Sequence, residues 1–478
     1  MLGDALRAVG YSEAAVTRLL GDEAYSDGRE DVPVAERRLP GTPLGTVVRA
    51  FFLELPVPTR DAVRALGRGG LDALATTGLA EIGDEVVPLG RILPVGDLLI
   101  ASDDFPDEDG EQPADYVAAY TPTSRILDSL TPRRPVARAL DVGTGSGVQA
   151  LLTARHAGHV VATDVNARAL AYTELNAALN GMENVECRQG SLFEPAGGEQ
   201  FELITCNAPY VVSPEKRWAY RDSGFQADEI SERVVRGAAD HLAEGGFATL
   251  LVSWIAGDPD EPDERPLAWT ETIGCDSWII PIWGSDALGH AATWNDQLAD
   301  DDERFAAALD TWTDYLAGLG VRWVSEGAVL LRRSRGPRFT ARVDEVDEDD
   351  LEDAGEQIER AFEARARLSE LRRPADLLDV RLAVAAPLLL EHELEPRRGR
   401  TAVVAASLQV AEGTQSTVDA SPRALELVAA LDGTKRLGDL VQASAERLGL
   451  SESETSQLRR EVLEACRELL ELGALRFQ

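Results

Sequence analysis

Four consecutive residues, Asn207-Ala208-Pro209-Tyr210, directly follow a short apolar run at 201–206. An amino or amide nitrogen is a weak nucleophile because its lone pair is delocalised into a ring or a carbonyl. The Asn207 side-chain oxygen and the Ala208 carbonyl offer one acceptor for each hydrogen of an NH₂ group. Pro209 favours an extended Ala208, and Tyr210 offers a ring face to a planar group. The tetrapeptide therefore predicts chemistry at a planar nitrogen, with an ordinary turn after a strand as the alternative.

A glycine-rich turn at 141–147 lies between an apolar run typical of a buried strand and a segment with helical spacing. Glycines let the backbone approach a ligand, and the following helix begins with free N–H groups. A dinucleotide site would have its third glycine at position 148, which is Val148, and Asp141 would repel a pyrophosphate but attract an ammonium group. The turn therefore favours S-adenosylmethionine (SAM) over NAD, with a turn that binds nothing as the alternative. The residues expected to hold SAM here are Asp141, Gly143, Gly145 and Gly147.

Two further strand ends complete the expected cofactor site. Asp164 ends the next apolar run, where an acid commonly accepts hydrogen bonds from the vicinal hydroxyls of a ribose. The alternative role for Asp164 is to cap the helix that begins near Ala167, which Asn166 could also do. The following strand ends at Ser191 and Leu192, where the Ser191 hydroxyl is the expected acceptor for an adenine amino group.

With these motifs in this order, residues 120–255 resemble class I SAM methyltransferases, in particular the N-P-P-Y group. That group includes HemK-type glutamine methyltransferases, guanine-N2 RNA methyltransferases and adenine-N6 DNA methyltransferases. The resemblance implies an α/β fold with a seven-stranded, Rossmann-like sheet, SAM along the tips of its first strands, and residues 207–210 over the transferred methyl group. Ala208 departs from the group by replacing its first proline. The chain also lacks the Glu-Pro stretch that the glutamine methyltransferases share just after this motif.

The segment after the motif supplies the expected substrate contacts, Arg217, Trp218 and Arg221. All eight tryptophans lie between Trp218 and Trp323, in the half that carries the acceptor side in the resembling family. At least five of them are expected to fill a core.

Composition limits the remaining interpretations. The net charge of −36 weighs against a polyanionic partner, although the acid is partly concentrated at 103–111, 258–264 and 344–359. Acidity with only two lysines also fits a high-salt cytoplasm. No apolar run reaches the ~18 residues needed to span a bilayer, and the N-terminus lacks signal-peptide features, so we expect a cytoplasmic protein without a membrane partner. The four cysteines form no C-x-x-C pair and histidines are few, so no metal site is expected.

The acidic stretches divide the chain into three expected domains. Residues 1–102 predict three short helices and a hairpin, an arrangement typical of a winged helix. Residues 115–335 hold the methyltransferase motifs. Residues 340–478 predict an α+β domain that ends in a helical, winged-helix-like unit, with 430–434 as a helix–turn–helix connection.

The sequence therefore predicts a SAM-dependent N-methyltransferase acting on the amino group of a nucleic-acid base, in RNA or DNA. A glutamine or asparagine amide of a protein is the alternative acceptor: the acidic charge favours protein, whereas the possible winged helices and the missing Glu-Pro stretch favour nucleic acid. A non-catalytic SAM-binding or regulatory module would not need Asn207 and Tyr210. A DNA-binding regulator would need a basic recognition helix, and residues 62–68 hold only two arginines. The oligomeric state stays open.

Overall fold

The N-terminal region folds as five helices and two small antiparallel sheets. The computed structural model describes residues 1–25, 32–104, 113–215, 225–334, 341–348, 351–397 and 400–478. The helices are α1 (Leu2–Ala8), α2 (Glu13–Leu20), α3 (Val32–Arg38), α4 (Pro43–Phe51) and α5 (Thr59–Ala75). The strands are β1 (Val57–Pro58), β2 (Ala80–Ile82), β3 (Glu85–Pro88), β4 (Arg91–Val95) and β5 (Leu98–Ser102). β1, β3 and β2 form one sheet in that order, and β4 pairs with β5 in the other.

Helices α2, α4 and α5 correspond to the segments with helical spacing. The sequence has helical spacing at 59–66 and again at 70–77, and α5 contains both helical segments, separated by a kink at Gly67, whose φ of 69° is not helical. A glycine adopts this conformation without the steric penalty of a Cβ. Helices followed by antiparallel strands agree with a winged-helix-like arrangement, which stays a prediction for this region.

The central region alternates strands and helices. Its helices are α6 (Pro122–Leu130), α7 (Val148–Ala154), α8 (Ala167–Leu179), α9 (Glu229–His241), α10 (Glu264–Thr270), α11 (Ala287–Thr293) and α12 (Asp302–Gly318). Its strands are β6 (Val136–Val142), β7 (Ala157–Asp164), β8 (Val185–Gln189), β9 (Phe201–Asn207), β10 (Leu242–Ala256), β11 (Asp276–Asp286), β12 (Trp323–Arg332) and β13 (Ala341–Val343).

These strands form one sheet in the order β8-β7-β6-β9-β10-β12-β11-β13, in which β12 alone runs antiparallel to its neighbours. The first seven strands of this order are the seven expected from the sequence. The carboxyl ends of β6, β7, β8 and β9 meet at one edge, because these strands are parallel. That edge carries the glycine turn, Asp164, Ser191 and Asn207.

The eighth strand, β13, comes from beyond residue 340 and pairs with β11. The expected boundary at 335–340 therefore interrupts the sheet, and the division into three domains stays a prediction. One continuous hydrophobic core extends from Val95 to Leu475. A second core joins the N-terminal helices to Tyr172 and Leu179 of α8. Both flanking regions thus pack on the central sheet.

Among its described residues, the C-terminal region contains four α-helices and six strands. The helices are α13 (Gly355–Glu370), α14 (Pro422–Ala429), α15 (Leu437–Leu448) and α16 (Glu452–Glu471). The strands are β14 (Arg381–Val384), β15 (Leu388–Arg397), β16 (Arg400–Val410), β17 (Thr417–Asp419), β18 (Asp432–Arg436) and β19 (Leu475–Phe477). The expected helix–turn–helix connection at 430–434 is wrong, because its second half belongs to β18, which pairs with β14. This pairing joins segments about fifty residues apart, and a local pattern does not reveal it.

Candidate active site

The backbone of the glycine turn is not covered by side chains of its own, and it lies at the carboxyl edge of the sheet. Gly143, Gly145 and Gly147 all have positive φ, at 69°, 56° and 85°. A Cβ on Gly147 would lie 2.9 Å from Thr173 Cγ2, so packing against α8 requires a glycine there. A Cβ on Gly145 would meet nothing within 4 Å. The turn is therefore tight on its helix side and has room for a ligand above Gly145.

Asp141 holds this turn from below. Its Oδ2 accepts a hydrogen bond from Thr144 Oγ1 at 2.6 Å, and its Oδ1 accepts one from Thr205 Oγ1 at 2.8 Å. The residue is 2% exposed, and this burial raises the pKa of its carboxyl group to about 6. Asp141 therefore ties the turn to β9, and its predicted contact with an ammonium group stays a prediction.

Asp164 lies beside the turn, at the end of β7. Its Oδ2 accepts from the Gly145 amide at 3.0 Å and its Oδ1 from the Asn166 amide at 2.8 Å. The cap of α8 is Asn166, whose Oδ1 accepts from the Arg168 amide at 2.9 Å. Burial raises the pKa of Asp164. Since each carboxylate oxygen has two lone pairs, both can accept one further hydrogen bond, and the contact of Asp164 with a ribose stays a prediction.

Ser191 and Leu192 follow β8, one strand further out. The Gly190 amide donates to the Asp164 carbonyl at 3.0 Å, which places this segment next to the ribose candidate. Leu192 has a φ of 48°, uncommon for a residue with a Cβ. The role of Ser191 and Leu192 at an adenine ring stays a prediction.

Asn207 ends β9, and its amide orientation is set by α6. Its Nδ2 donates to Thr123 Oγ1 at 3.1 Å, so Oδ1 is left as the acceptor. Thr123 Oγ1 lies 2.9 Å from Thr121 Oγ1, and Thr121 caps α6 by accepting from the Ser124 amide at 3.2 Å. Thr123 is not among the site residues predicted from the sequence. The signal that was available is Thr121 followed by Pro122, a pair typical of a helix start.

The rest of the motif is fixed by neighbouring elements. Ala208 and Tyr210 are both 5% exposed and belong to the main core. Ser253 Oγ of β10 donates to the Tyr210 carbonyl. The Tyr210 ring is thus largely packed inside, and its predicted stacking on an acceptor stays a prediction.

The segment inserted between β11 and β12 holds the chain just after the motif. His290 of α11 is 2% exposed, and its Nε2 lies 3.0 Å from the Val212 carbonyl oxygen. Trp294 Nε1 donates to Glu326 Oε1 at 2.9 Å, and Glu326 also lies 3.5 Å from His290 Nδ1. This cluster was not predictable from the sequence, because His290 and Glu326 approach each other only in the fold.

The predicted substrate contacts Arg217, Trp218 and Arg221 lie outside the described residues. Of the other tryptophans, Trp254, Trp278 and Trp312 are fully buried and Trp269 is 3% exposed. These four fill cores, one fewer than the five expected, and the other tryptophans that the structure describes, at 283, 294 and 323, are only partly buried.

Two buried side chains of α8 support the turn and were also missed. Thr173 Oγ1 donates to the Gly145 carbonyl at 3.1 Å. Asn176 Nδ2 lies within hydrogen-bond distance of the Ser146 carbonyl, at 2.7 Å, and of the Ala101 carbonyl, at 2.8 Å. The N-terminal hairpin is thereby joined to the back of the cofactor turn.

In the described ranges, no helix is long and apolar enough to cross a membrane. Nor do the described side chains include three His, Cys, Asp or Glu residues grouped so that they could hold a metal ion.

The residues at the sheet edge fit SAM. The open space above Gly145 accommodates a ligand against the backbone, and the Asp164 carboxylate is oriented by two amides beside it. A cofactor with an adenosine ribose matches this combination of an accessible glycine backbone and a carboxylate at the end of the next strand.

Comparison with known proteins agrees with this geometry. The family model described as the methyltransferase small domain matches residues 121–255. The chain thus carries a class I methyltransferase domain of the N-P-P-Y type, whose cofactor is SAM, with additional regions on both sides. One of these, residues 8–89, matches a family described only as a domain of unknown function.

Three relatives of the methyltransferase domain illustrate its similarity to named proteins. A release factor glutamine methyltransferase from Xylella fastidiosa is 34% identical over 132 residues, which cover 25% of this chain and 48% of that protein. A ribosomal protein uL3 glutamine methyltransferase from Bradyrhizobium diazoefficiens is 32% identical over 165 residues, or 32% of this chain and 52% of that protein. A ribosomal protein uL3 glutamine methyltransferase from Xanthomonas campestris is 33% identical over 176 residues, which cover 33% of this chain and 56% of that protein. The chain spans about half the length of these relatives.

Proposed function

We propose that this chain transfers a methyl group from SAM to the side-chain amide nitrogen of a glutamine in a protein. The observation that carries the proposal is the orientation of Asn207: its Nδ2 is engaged by Thr123, which leaves Oδ1 as the acceptor at the end of β9. An acceptor held there suits an incoming NH₂ group. The names of the relatives favour an amide in a protein over the nucleic-acid base expected from the sequence.

Asn207 and Ala208 would act on the acceptor nitrogen. When bound, SAM supplies a methyl group activated for attack by a nucleophile. Asn207 Oδ1 and the Ala208 carbonyl each take one N–H of the amide, which favours a pyramidal nitrogen and frees its lone pair. These acceptors stabilise the developing positive charge on nitrogen, so they matter more in the transition state than in the ground state.

The charge of the chain also supports a protein acceptor. Asp141 and Asp164 place two carboxyl groups at the cofactor edge, and the whole chain carries a net charge of −36. A nucleic acid would have to overcome this field through a local group of cations, because phosphate contacts dominate its affinity. A protein segment with a glutamine needs no such group.

The test is to incubate the purified chain and tritiated SAM with a lysate, and then to divide the labelled product between nuclease and protease digestion. We expect label that resists nuclease and is lost to protease. The Asn207→Ala variant is the matched control, because it should bind SAM but label the lysate on the order of 10²-fold more slowly. Label that is lost to nuclease alone would contradict the proposal and would identify a nucleic-acid base as the methyl acceptor.

A further inference from the structure

A cavity of about 700 Å³ lies between the central sheet and the C-terminal region. It is lined by Ala341 and Arg342 of β13, by the end of α13, by the segment after α13 and by α16. β13 pairs with the first residues of β11, so the cavity opens near the amino ends of the parallel strands. It is therefore separate from the SAM edge, where those strands end.

The lining is more cationic than the rest of this acidic chain. It contains four arginines and only two acids, Glu464 and Glu471. Arg342 is paired with Asp344 and Glu471, Arg467 with Glu471, and Arg373 with Asp376. These three arginines are therefore largely balanced by neighbouring carboxylates.

Arg365 differs from the other three arginines. It is 3% exposed, and its guanidinium lies over the Trp278 ring at 4.3 Å. Its Nε donates to the Glu471 carbonyl at 3.0 Å. Nη1 and Nη2, both buried, have no hydrogen-bond partner among the residues that the structure describes. Burying a charged group without hydrogen-bond partners costs free energy. A bound ligand that accepts hydrogen bonds from the group would remove that cost.

Two adjacent Nη donors in one plane match the two oxygens of a carboxylate or phosphate. The stacking on Trp278 fixes that plane in advance. Burial lowers the pKa of Arg365 to about 10, which still leaves it charged at neutral pH. The remaining lining includes the apolar side chains of Leu368, Leu377 and Leu463. The cavity volume lies in the range of small-molecule sites.

We propose that this cavity binds a small organic anion, with its apolar body against the leucines and its oxyanion head on Arg365, after a local shift of the side chains that cover Nη1 and Nη2. The ligand pairs the buried guanidinium and joins α13 and α16 to the edge of the methyltransferase sheet. This site is independent of the proposed amide methylation.

The test uses the full chain, with octanoate and octyl phosphate as probes and octanol as a neutral probe with the same body. Calorimetry and thermal unfolding should show saturable binding of at least one anion and a rise in Tm, with octanol at least tenfold weaker. The two anions distinguish a carboxylate head from a phosphate head. Binding of octanol as tight as that of the anions, or no binding of either anion, would overturn the proposal.

Two variants assign the binding to this cavity. Arg365→Met should weaken anion binding at least tenfold, while the unliganded Tm stays equal or rises because an unpaired buried charge is removed. The matched control is Arg367→Met, two residues along α13 at an exposed position that does not line the cavity, which should bind as the wild type does. Leu368→Glu places a carboxylate within the cavity, and it should block the probes without unfolding the chain. Unchanged affinity in both cavity variants would refute the site.

Discussion

Replacing Thr123 by valine removes one hydroxyl from the candidate active site and keeps the side-chain shape. In the structure this hydroxyl accepts from Asn207 Nδ2 at 3.1 Å and sets which face of the amide carries the oxygen. A neutral hydrogen bond contributes about 0.5–1.5 kcal/mol. If the hydrogen bond stabilises the transition state by that amount, its loss should lower kcat roughly 2- to 13-fold, since about 1.4 kcal/mol corresponds to a tenfold change in rate.

The assay is a methyl-transfer rate at saturating SAM, paired with SAM affinity from calorimetry. Thr123→Val should leave SAM affinity within about twofold, because the lost bond orients Asn207 and does not touch the cofactor. Thr123→Ser keeps the hydroxyl and should restore most of the rate. Asn207→Ala should lower turnover by on the order of 10²-fold with SAM affinity nearly intact.

A double-mutant cycle separates positioning from a general structural effect. If Thr123 acts through Asn207, then Thr123→Val should cost almost nothing further in the Asn207→Ala background. An equal fold loss in both backgrounds would refute the reasoning. So would a fall in SAM affinity as large as the fall in rate.

Three further outcomes are expected. Asp164→Ala should weaken SAM binding at least tenfold by calorimetry, because it removes charge-assisted hydrogen bonds of about 1.5–3 kcal/mol each, and unchanged binding would exclude a ribose contact. Burial raises the pKa of Asp141 to about 6, so the contribution of this carboxyl group to stability falls as pH rises from about 4 through 6. In urea unfolding, Asp141→Asn should therefore gain up to about 3 kcal/mol relative to the wild type across that window, and a constant difference would contradict the shift. Gly147→Ala should lower the Tm more than Gly145→Ala, because only the former brings a Cβ to 2.9 Å from Thr173; equal losses would argue against the tight packing.

The central fold was predictable because its signals are local and ordered along the chain. Runs such as 185–189 and 201–206 have the length and composition of buried strands, and the structure places β8 and β9 there. The glycine turn was predictable for the same reason: positive φ at Gly143, Gly145 and Gly147 is the conformation for which glycine is needed.

The support around the site was not predictable, because it comes from distant segments. Thr123 and Asn207 are 84 residues apart, and the hydroxyl could have faced solvent on any other helix start. His290 approaches Val212 across 78 residues. Strand β13 pairs with β11, and strand β18 pairs with β14, only through the tertiary fold. Neither sequence has a strong alternation of apolar and polar residues that would predict a strand.

The acceptor itself provides the most direct test of amide methylation. Label transferred from tritiated SAM can be recovered in the macromolecular fraction and hydrolysed in acid. Acid cleaves a methylated side-chain amide to glutamate and methylamine, whereas a methylated amino group on a base remains attached to its ring. We predict labelled methylamine, which is volatile once the hydrolysate is made alkaline, formed by the wild type and reduced on the order of 10²-fold with Asn207→Ala. Label recovered in a methylated nucleobase would contradict the proposed function.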